Sequence, residues 1–293
     1  MSRQNLARML GLLLAPIFIS CSVSTAYGQT FVTIDHPNAR STICTAINTQ
    51  GEIGGTFIDR KGVIHGFYST DQVLLHEVHA PYAFADYVWG IDELGNIAGT
   101  WGYSGRQSGY SGFIISPNKV IQYVFAKISF TTEVLGISPT THVTTGFYVD
   151  YDYQYYGFYS PDIYSFYPIQ YPSAIRTIPH SGNDQNQFVG TYQAPLGGEH
   201  GFFYDGISQY MNMDFPGALN TIPYSINNAG EIVGTYQTAD YVHHGFTYIN
   251  GTYTTVDFPG GTDTKVFGLN SLGAIVGQYT EVSGRVHGFI DLP

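Results

Sequence analysis

Three features of the 293-residue sequence predict an all-β fold: a charged content of 11%, an aromatic content of 16%, and a unit that recurs six times at intervals near 44 residues. An ordinary globular domain is about 25% charged. Few charges and many aromatics are the reverse of the disordered signature. Gly, Tyr, Thr and Phe dominate over the residues that helices favour, which argues against a helical bundle.

The chain opens with an export-type segment. Arg3 and Arg8 precede the apolar stretch Met9 to Ser20, which is too short for a bilayer span of roughly 20 residues. Ala26-Tyr27-Gly28 fits a small-x-small cleavage site, so residues 1–28 read as a signal peptide and 29–293 as one domain. A rival reading places a lipidated cysteine at Cys21, after Phe18-Ile19-Ser20. The protein is therefore expected to be secreted or periplasmic, or alternatively lipid-anchored, with no transmembrane segment and as a monomer.

The repeat is carried by three landmarks in constant order. The tripeptide x-Gly-Phe recurs as His65-Gly66-Phe67, Ser111-Gly112-Phe113, Tyr156-Gly157-Phe158, His200-Gly201-Phe202, His244-Gly245-Phe246 and His287-Gly288-Phe289. Its glycines lie 46, 45, 44, 44 and 43 residues apart. Upstream of each comes Ile-Asn-x-x-Gly, clearest at Ile226-Asn227 to Gly230 and at Leu269-Asn270 to Gly273. Units three and four are eroded, with Thr141 and Asn186 at the glycine place. Asp-x-Pro lies further upstream, as Asp35-His36-Pro37, Asp214-Phe215-Pro216 and Asp257-Phe258-Pro259. Only the proline survives in His79-Ala80-Pro81 and Gln170-Tyr171-Pro172.

Each unit divides into four short strands, in the last clear stretch Tyr253 to Asp257, Lys265 to Leu269, Ile275 to Tyr279 and Val286 to Ile290. The Asn-x-x-Gly segments are hairpin turns, since Asn and Gly accept positive φ. The Gly-Phe glycine admits a close neighbour, with the phenylalanine packing between sheets. Four strands in about 44 residues match a propeller blade. The expected fold is a six-bladed β-propeller of four-stranded antiparallel blades. The segment from Phe31 to Pro37 reads as a fourth strand and the chain stops after a third, so the N-terminal strand is expected to complete the last blade and close the ring.

These units resemble an extracellular repeat named for its His-Ala-Phe motif (the HAF repeat), with His-Gly-Phe in that place here. The resemblance covers nearly the whole of residues 29–293 and implies an exported bacterial repeat protein. It carries no catalytic residues to transfer.

Loss of residues 1–28 removes Arg3 and Arg8 and no acid, leaving 9 basic residues against 22 acidic ones and a net charge of −13. Such a surface repels phosphate backbones, so nucleic acid is not expected as a partner. Cys44 is then the one remaining cysteine and reads as a small buried hydrophobe, without a disulfide. His65, His200, His244 and His287 share one repeat position on different blades, which suggests a structural hydrogen bond rather than convergence on a metal. Asp35, Asp214 and Asp257 read as caps of the turns before proline. Asp150-Tyr151-Asp152 lacks the further ligands of a calcium loop. No nucleophile elbow, Cys-x-x-Cys, phosphate loop or zinc-protease motif occurs. Catalytic residues, metal ligands and cofactors are accordingly assigned as none, although scattered carboxylates such as Asp59, Glu133, Glu199 and Glu281 leave catalysis open.

Tyrosine is the remaining signal, because its ring offers flat area and a hydroxyl at low entropic cost. Tyr103, Tyr151, Tyr153, Tyr155, Glu199 and Tyr241, expected in the loops between second and third strands, are the candidate ligand-binding residues. The expected function is an exported, non-catalytic binding or scaffold module with a glycan or protein ligand. The alternatives are a polysaccharide hydrolase or lyase working at the central channel, and a structural envelope protein.

Overall fold

A computed structural model describes residues 25–26, 29–79, 83–103, 109–195 and 197–293. No helix occurs among them, and none is long and apolar enough to cross a membrane. The apolar leader and Cys21 lie outside the described residues, as do Tyr27 and Gly28 of the cleavage motif and Ala80 and Pro81 of the second Asp-x-Pro cognate.

The strands form six four-stranded antiparallel blades. Blade I holds Ala39–Ile47, Ile53–Asp59, Ile64–Ser69 and His76–Val78; blade II holds Ala83–Ile91, Ile97–Tyr103, Gly109–Ile115 and Ile121–Val124. Blade III holds Ser129–Ile137, Thr144–Asp150, Tyr155–Ser160 and Tyr167–Ile169; blade IV holds Arg176–Gly182, Phe188–Gln193, Glu199–Tyr204 and Tyr210–Asn212. Blade V holds Asn220–Ile226, Ile232–Gln237, His243–Ile249 and Thr252–Val256. Blade VI takes Asp263–Leu269, Ile275–Thr280 and Val286–Leu292 from the C-terminal end of the chain and Gln29–Ile34 from the N-terminal end, in register from Thr30↔Leu292 to Ile34↔Gly288. Thr25–Ala26 pairs outside it as a short extra strand. Single parallel bridges, Val286↔Ser41 and Ile64↔Ala85, join the third strand of blade VI to the first of blade I and the third strand of blade I to the first of blade II.

The Gly-Phe landmark explains how blades pack. All six phenylalanines, Phe67, Phe113, Phe158, Phe202, Phe246 and Phe289, are fully buried. The adjoining glycine receives a side chain from the first strand of the next blade. A β-carbon on Gly112 would lie 2.5 Å from Val134, on Gly245 2.4 Å from Val266, and on Gly201 2.8 Å from Pro223. Across the chain ends the same contact recurs, where a β-carbon on Gly288 would lie 2.7 Å from Cys44 Sγ. Cys44 is thus the cognate of those valines and prolines, and burial pushes its thiol far up from its ordinary value. Behind the phenylalanines of blades I, II, V and VI the second strand must also be bare: a β-carbon on Gly99 or Gly277 would lie 2.7 or 2.8 Å from the ring.

The Asn-x-x-Gly turns form as expected in four units, with Gly51, Gly95, Gly230 and Gly273 at positive φ. Asn227 Oδ1 accepts from the amides of Ala229 and Glu231, and Asn270 Oδ1 from those of Leu272 and Ala274. Asn186 adopts φ 57° in unit four, as its residue type permits. Unit three is a correction. Its turn is one residue longer, closing from Ser138 N to Val143 O, and the positive φ falls on His142 rather than Thr141. The same asparagines also link blades. Asn48 donates to Asp92 O, Asn183 to Asn227 O, Asn227 to Asn270 O, and Asn270 to Asn48 O at 2.9 Å.

Candidate binding face and central channel

Alternation of antiparallel strands puts the Asn-x-x-Gly turns at one end of the blades. The second-to-third-strand hairpins and the blade-to-blade connections share the other end. That hairpin end carries the histidines and the repeated aspartates, whose role differs from the turn-capping expected of them. Asp214 accepts from His200 Nδ1 at 2.7 Å, Asp257 from His244 at 3.0 Å, and Asp35 from His287 at 2.8 Å. Each pair ties the third strand of a finished blade to the chain leaving it. The next residue stacks on the blade that follows, as in Phe215 on Tyr236 and Phe258 on Tyr279, at 3.7 and 3.6 Å between centroids. Tyr171 on Tyr192 and His36 on Phe57 repeat the arrangement. Asp-x-Pro is therefore a staple between neighbouring blades. A threonine six residues past the stacking residue completes it: Thr42, Thr132, Thr177, Thr221 and Thr264 each accept its backbone N–H. This fourth landmark, spaced regularly in the sequence, was missed there. It also locates the third staple at Phe125-Ala126-Lys127, where Asp and Pro are both lost.

The structure brings most of the candidate tyrosines into two adjacent groups. Tyr151 and Tyr153 stand in the exposed hairpin of blade III with their rings against Phe130, at 6.4 and 5.4 Å. The Tyr103 hydroxyl donates to Phe130 O at 3.1 Å, so three of the six surround one residue. Tyr155 and Glu199 begin third strands rather than lying in loops, and Arg176 joins them: its guanidinium lies over the Tyr155 ring at 5.4 Å and meets Glu199 Oε1 at 3.3 Å. Tyr241 is exposed in the blade V hairpin, apart from both groups.

The central channel is built by six equivalent β-bulges, one at the same place in every first strand; those of blades I to III carry a second register slip near their start. Register slips between Cys44 and Ala46, Val88 and Gly90, Val134 and Gly136, Pro179 and Ser181, Pro223 and Ser225, and Val266 and Gly268. The bulged residues are Thr45, Trp89, Leu135, His180, Tyr224 and Phe267. A bulge re-aims its extra side chain, and these six, with Ile43, line a cavity of about 260 Å³. Tyr224 meets His180 and Phe267 edge-on at 5.1 and 4.8 Å. Trp89 Nε1 and His180 Nε2 are buried there without a hydrogen-bond partner among the described residues. Burial holds the His180 imidazole down at about 4, so it is neutral at physiological pH. Two residues before the bulge in blade III stands Glu133, whose carboxyl burial lifts to about 7. Its cognates in the other blades are Ile43, Tyr87, Ile178, Ile222 and Lys265, so this layer carries one acid.

In blade I the histidine latch is rebuilt. The aspartate of Asp-x-Pro is replaced by His79, and Glu77 of the fourth strand points at both imidazoles: 3.9 Å to His65 Nδ1 and 2.9 Å to His79 Nε2. The adjacent pair His243 and His244 turns to different acids, Asp263 and Asp257. Asp150 Oδ1 accepts the amides of Asp152 and Gln154, which makes its acidic loop a self-capped turn.

No family model matches the sequence, and no curated protein matches it. Among solved structures, the β-propeller domain of the Trilobed protease from Pyrococcus furiosus, described as having an open velcro topology, superposes with a TM-score of 0.52 at 8% identity, covering 86% of this chain and 93% of that one. A TolB-like protein from Agrobacterium tumefaciens gives 0.59 at 12%, covering 90% and 97%. The Aleuria aurantia lectin in complex with Fucalpha1-6GlcNAc gives 0.51 at 12%, covering 88% and 93%. At these identities the likeness establishes a β-propeller fold and no more.

Proposed function

We propose that the protein is an exported, non-catalytic binding module: a monomeric six-bladed propeller of HAF-type repeats, closed by its N-terminal strand, that takes a glycan at the hairpin end of blades II to IV. The observation that carries this reading is the convergence of Tyr103, Tyr151 and Tyr153 on Phe130, next to the Tyr155–Arg176–Glu199 group. Flat rings stack on sugar faces, and a fixed guanidinium–carboxylate pair offers directed donors and acceptors to hydroxyls. A lectin of the same fold, solved with a fucoside, fits the reading. Secretion or release to the periplasm follows from the leader, with anchoring through Cys21 as the other route out of the cytoplasm.

A glycan array probed with the chain from Gln29 onward tests it. A saturable ligand is expected, and Tyr153→Ala and Arg176→Ala should each weaken it about tenfold, the effect of losing roughly 1.4 kcal/mol of contact. Tyr153 is 74% exposed, so its loss leaves the fold intact. An array without a binder refutes the glycan reading and leaves the scaffold alternative in its place.

One observation favours the hydrolase reading, namely the raised carboxyl of Glu133, two residues before the bulged Leu135 that lines the channel. Glycoside hydrolysis needs two carboxyl groups roughly 5–10 Å apart. Release of reducing ends from a polysaccharide by the protein, abolished in Glu133→Gln, would establish it.

A further inference from the structure

The geometry points to a divalent transition-metal site on blade I, formed by His65, Glu77 and His79 and suited to Zn²⁺. One ligand atom from each of the three residues lies within 4.8 Å of the others. Two imidazoles and a carboxylate make a recurrent zinc donor set, and modest rotation brings such atoms to the 2.0–2.2 Å bonds that the ion requires.

The departure of blade I from its siblings supplies the first argument. In blades IV, V and VI the cognate histidine spends its Nδ1 on the aspartate of Asp-x-Pro. In blade I that aspartate is absent, so His65 Nδ1 faces Glu77 and, beyond it, His79. Replacing an acid by a second imidazole turns a hydrogen-bonded latch into a set of three potential ligands.

The second argument lies behind the ring. His65 Nε2 is 3.6 Å from Asp59 Oδ2. Asp59 is itself fixed, because its Oδ1 accepts the amides of Lys61 and Val63 at 2.8 and 2.9 Å. A carboxylate facing the back nitrogen at this distance attracts the ring proton to that side and so favours the lone pair on Nδ1, and a small closing movement would complete the arrangement that orients metal-bound histidines. The ring is also held flat against Phe57 at 4.8 Å. His65 is thus pre-set on the blade, while the exposed Glu77 and His79 can close around an ion with solvent in its remaining position.

The test uses the untagged chain, stripped with a chelator and titrated with Zn²⁺ against a chromophoric competitor. One saturable equivalent is expected. Glu77→Gln and His79→Ala should each weaken it by at least about tenfold, and Asp59→Asn by about 10- to 100-fold. His244→Ala, at the cognate position on blade V, should leave it unchanged. In the unsubstituted protein, Zn²⁺ should shift the imidazole NMR signals of His65 and His79 and not those of His200 or His287. Absence of a saturable equivalent, or binding that survives both Glu77→Gln and His79→Ala, overturns the assignment, as does a shift confined to other histidines.

Discussion

Truncation of Phe31 to alanine measures how far the N-terminal strand belongs to blade VI. Phe31 is 2% exposed and sits between Phe258 and Phe289, at 5.3 and 5.6 Å, in a core shared with Val266 and Ile275. A Phe→Ala change in such a core costs about 3–5 kcal/mol, from lost transfer energy and the cavity left behind. With a urea dependence of about 3 kcal/mol per molar, the unfolding midpoint should fall by about 1–1.7 M. Phe246→Ala, inside a blade made from contiguous chain, provides the reference, since Phe246 is fully buried in its own cluster. Equilibrium unfolding followed by intrinsic fluorescence reads both. Comparable midpoint losses are expected. A shift below about 0.3 M for Phe31→Ala beside a full shift for Phe246→Ala would mean that the strand frays freely, and closure by the N-terminus would be refuted.

Gly245→Ala should destabilise by about 1–3 kcal/mol through overpacking, because the new β-carbon would lie 2.4 Å from Val266 Cγ2 and 2.8 Å from Val256 O; a thermal melt unchanged from the parent would disprove the interlock. Glu133 gives a pH signature. Its folded value near 7 lies above the ordinary 4.5, so its favourable contribution is complete below pH 4.5 and is lost as pH rises through 7. Glu133→Gln should therefore melt above the parent at pH 8 and alongside it at pH 4, and a gap that widens on acidification would contradict the burial.

What repeats in the sequence is what the backbone demands. Gly230 and Gly273 recur because a turn needs positive φ there, and Gly112 and Gly245 because a neighbouring side chain takes the place of a β-carbon. These constraints made the blades legible, together with the pairing of the terminal strands. The turn of unit three misled because an inserted residue moved the strained position to His142, and spacing alone does not say which residue bears it. The aspartates of Asp-x-Pro were misassigned because their histidine partners lie on another strand, as far away in the chain as His287 is from Asp35. The channel was illegible for the opposite reason. Thr45, Trp89, Leu135, His180, Tyr224 and Phe267 share a bulge but no residue type, since a side chain aimed at the axis need satisfy no neighbour in its own blade. Glu77 escaped notice because the unit has no acid there in other copies, and only proximity to His65 and His79 gives it meaning.

The blade assembled from both ends sets a schedule for the newborn chain. At a synthesis rate of 5–20 residues per second, Gln29–Ile34 exists for about 13–50 s before Val286–Leu292 has been made. Throughout that interval its backbone amides and carbonyls lack their final partner, and an unpaired strand edge invites mispairing with other chains. A strand made so early is thus among the last to find its place, so any factor that shields this segment of the nascent chain would act on yield here before it acted on stability.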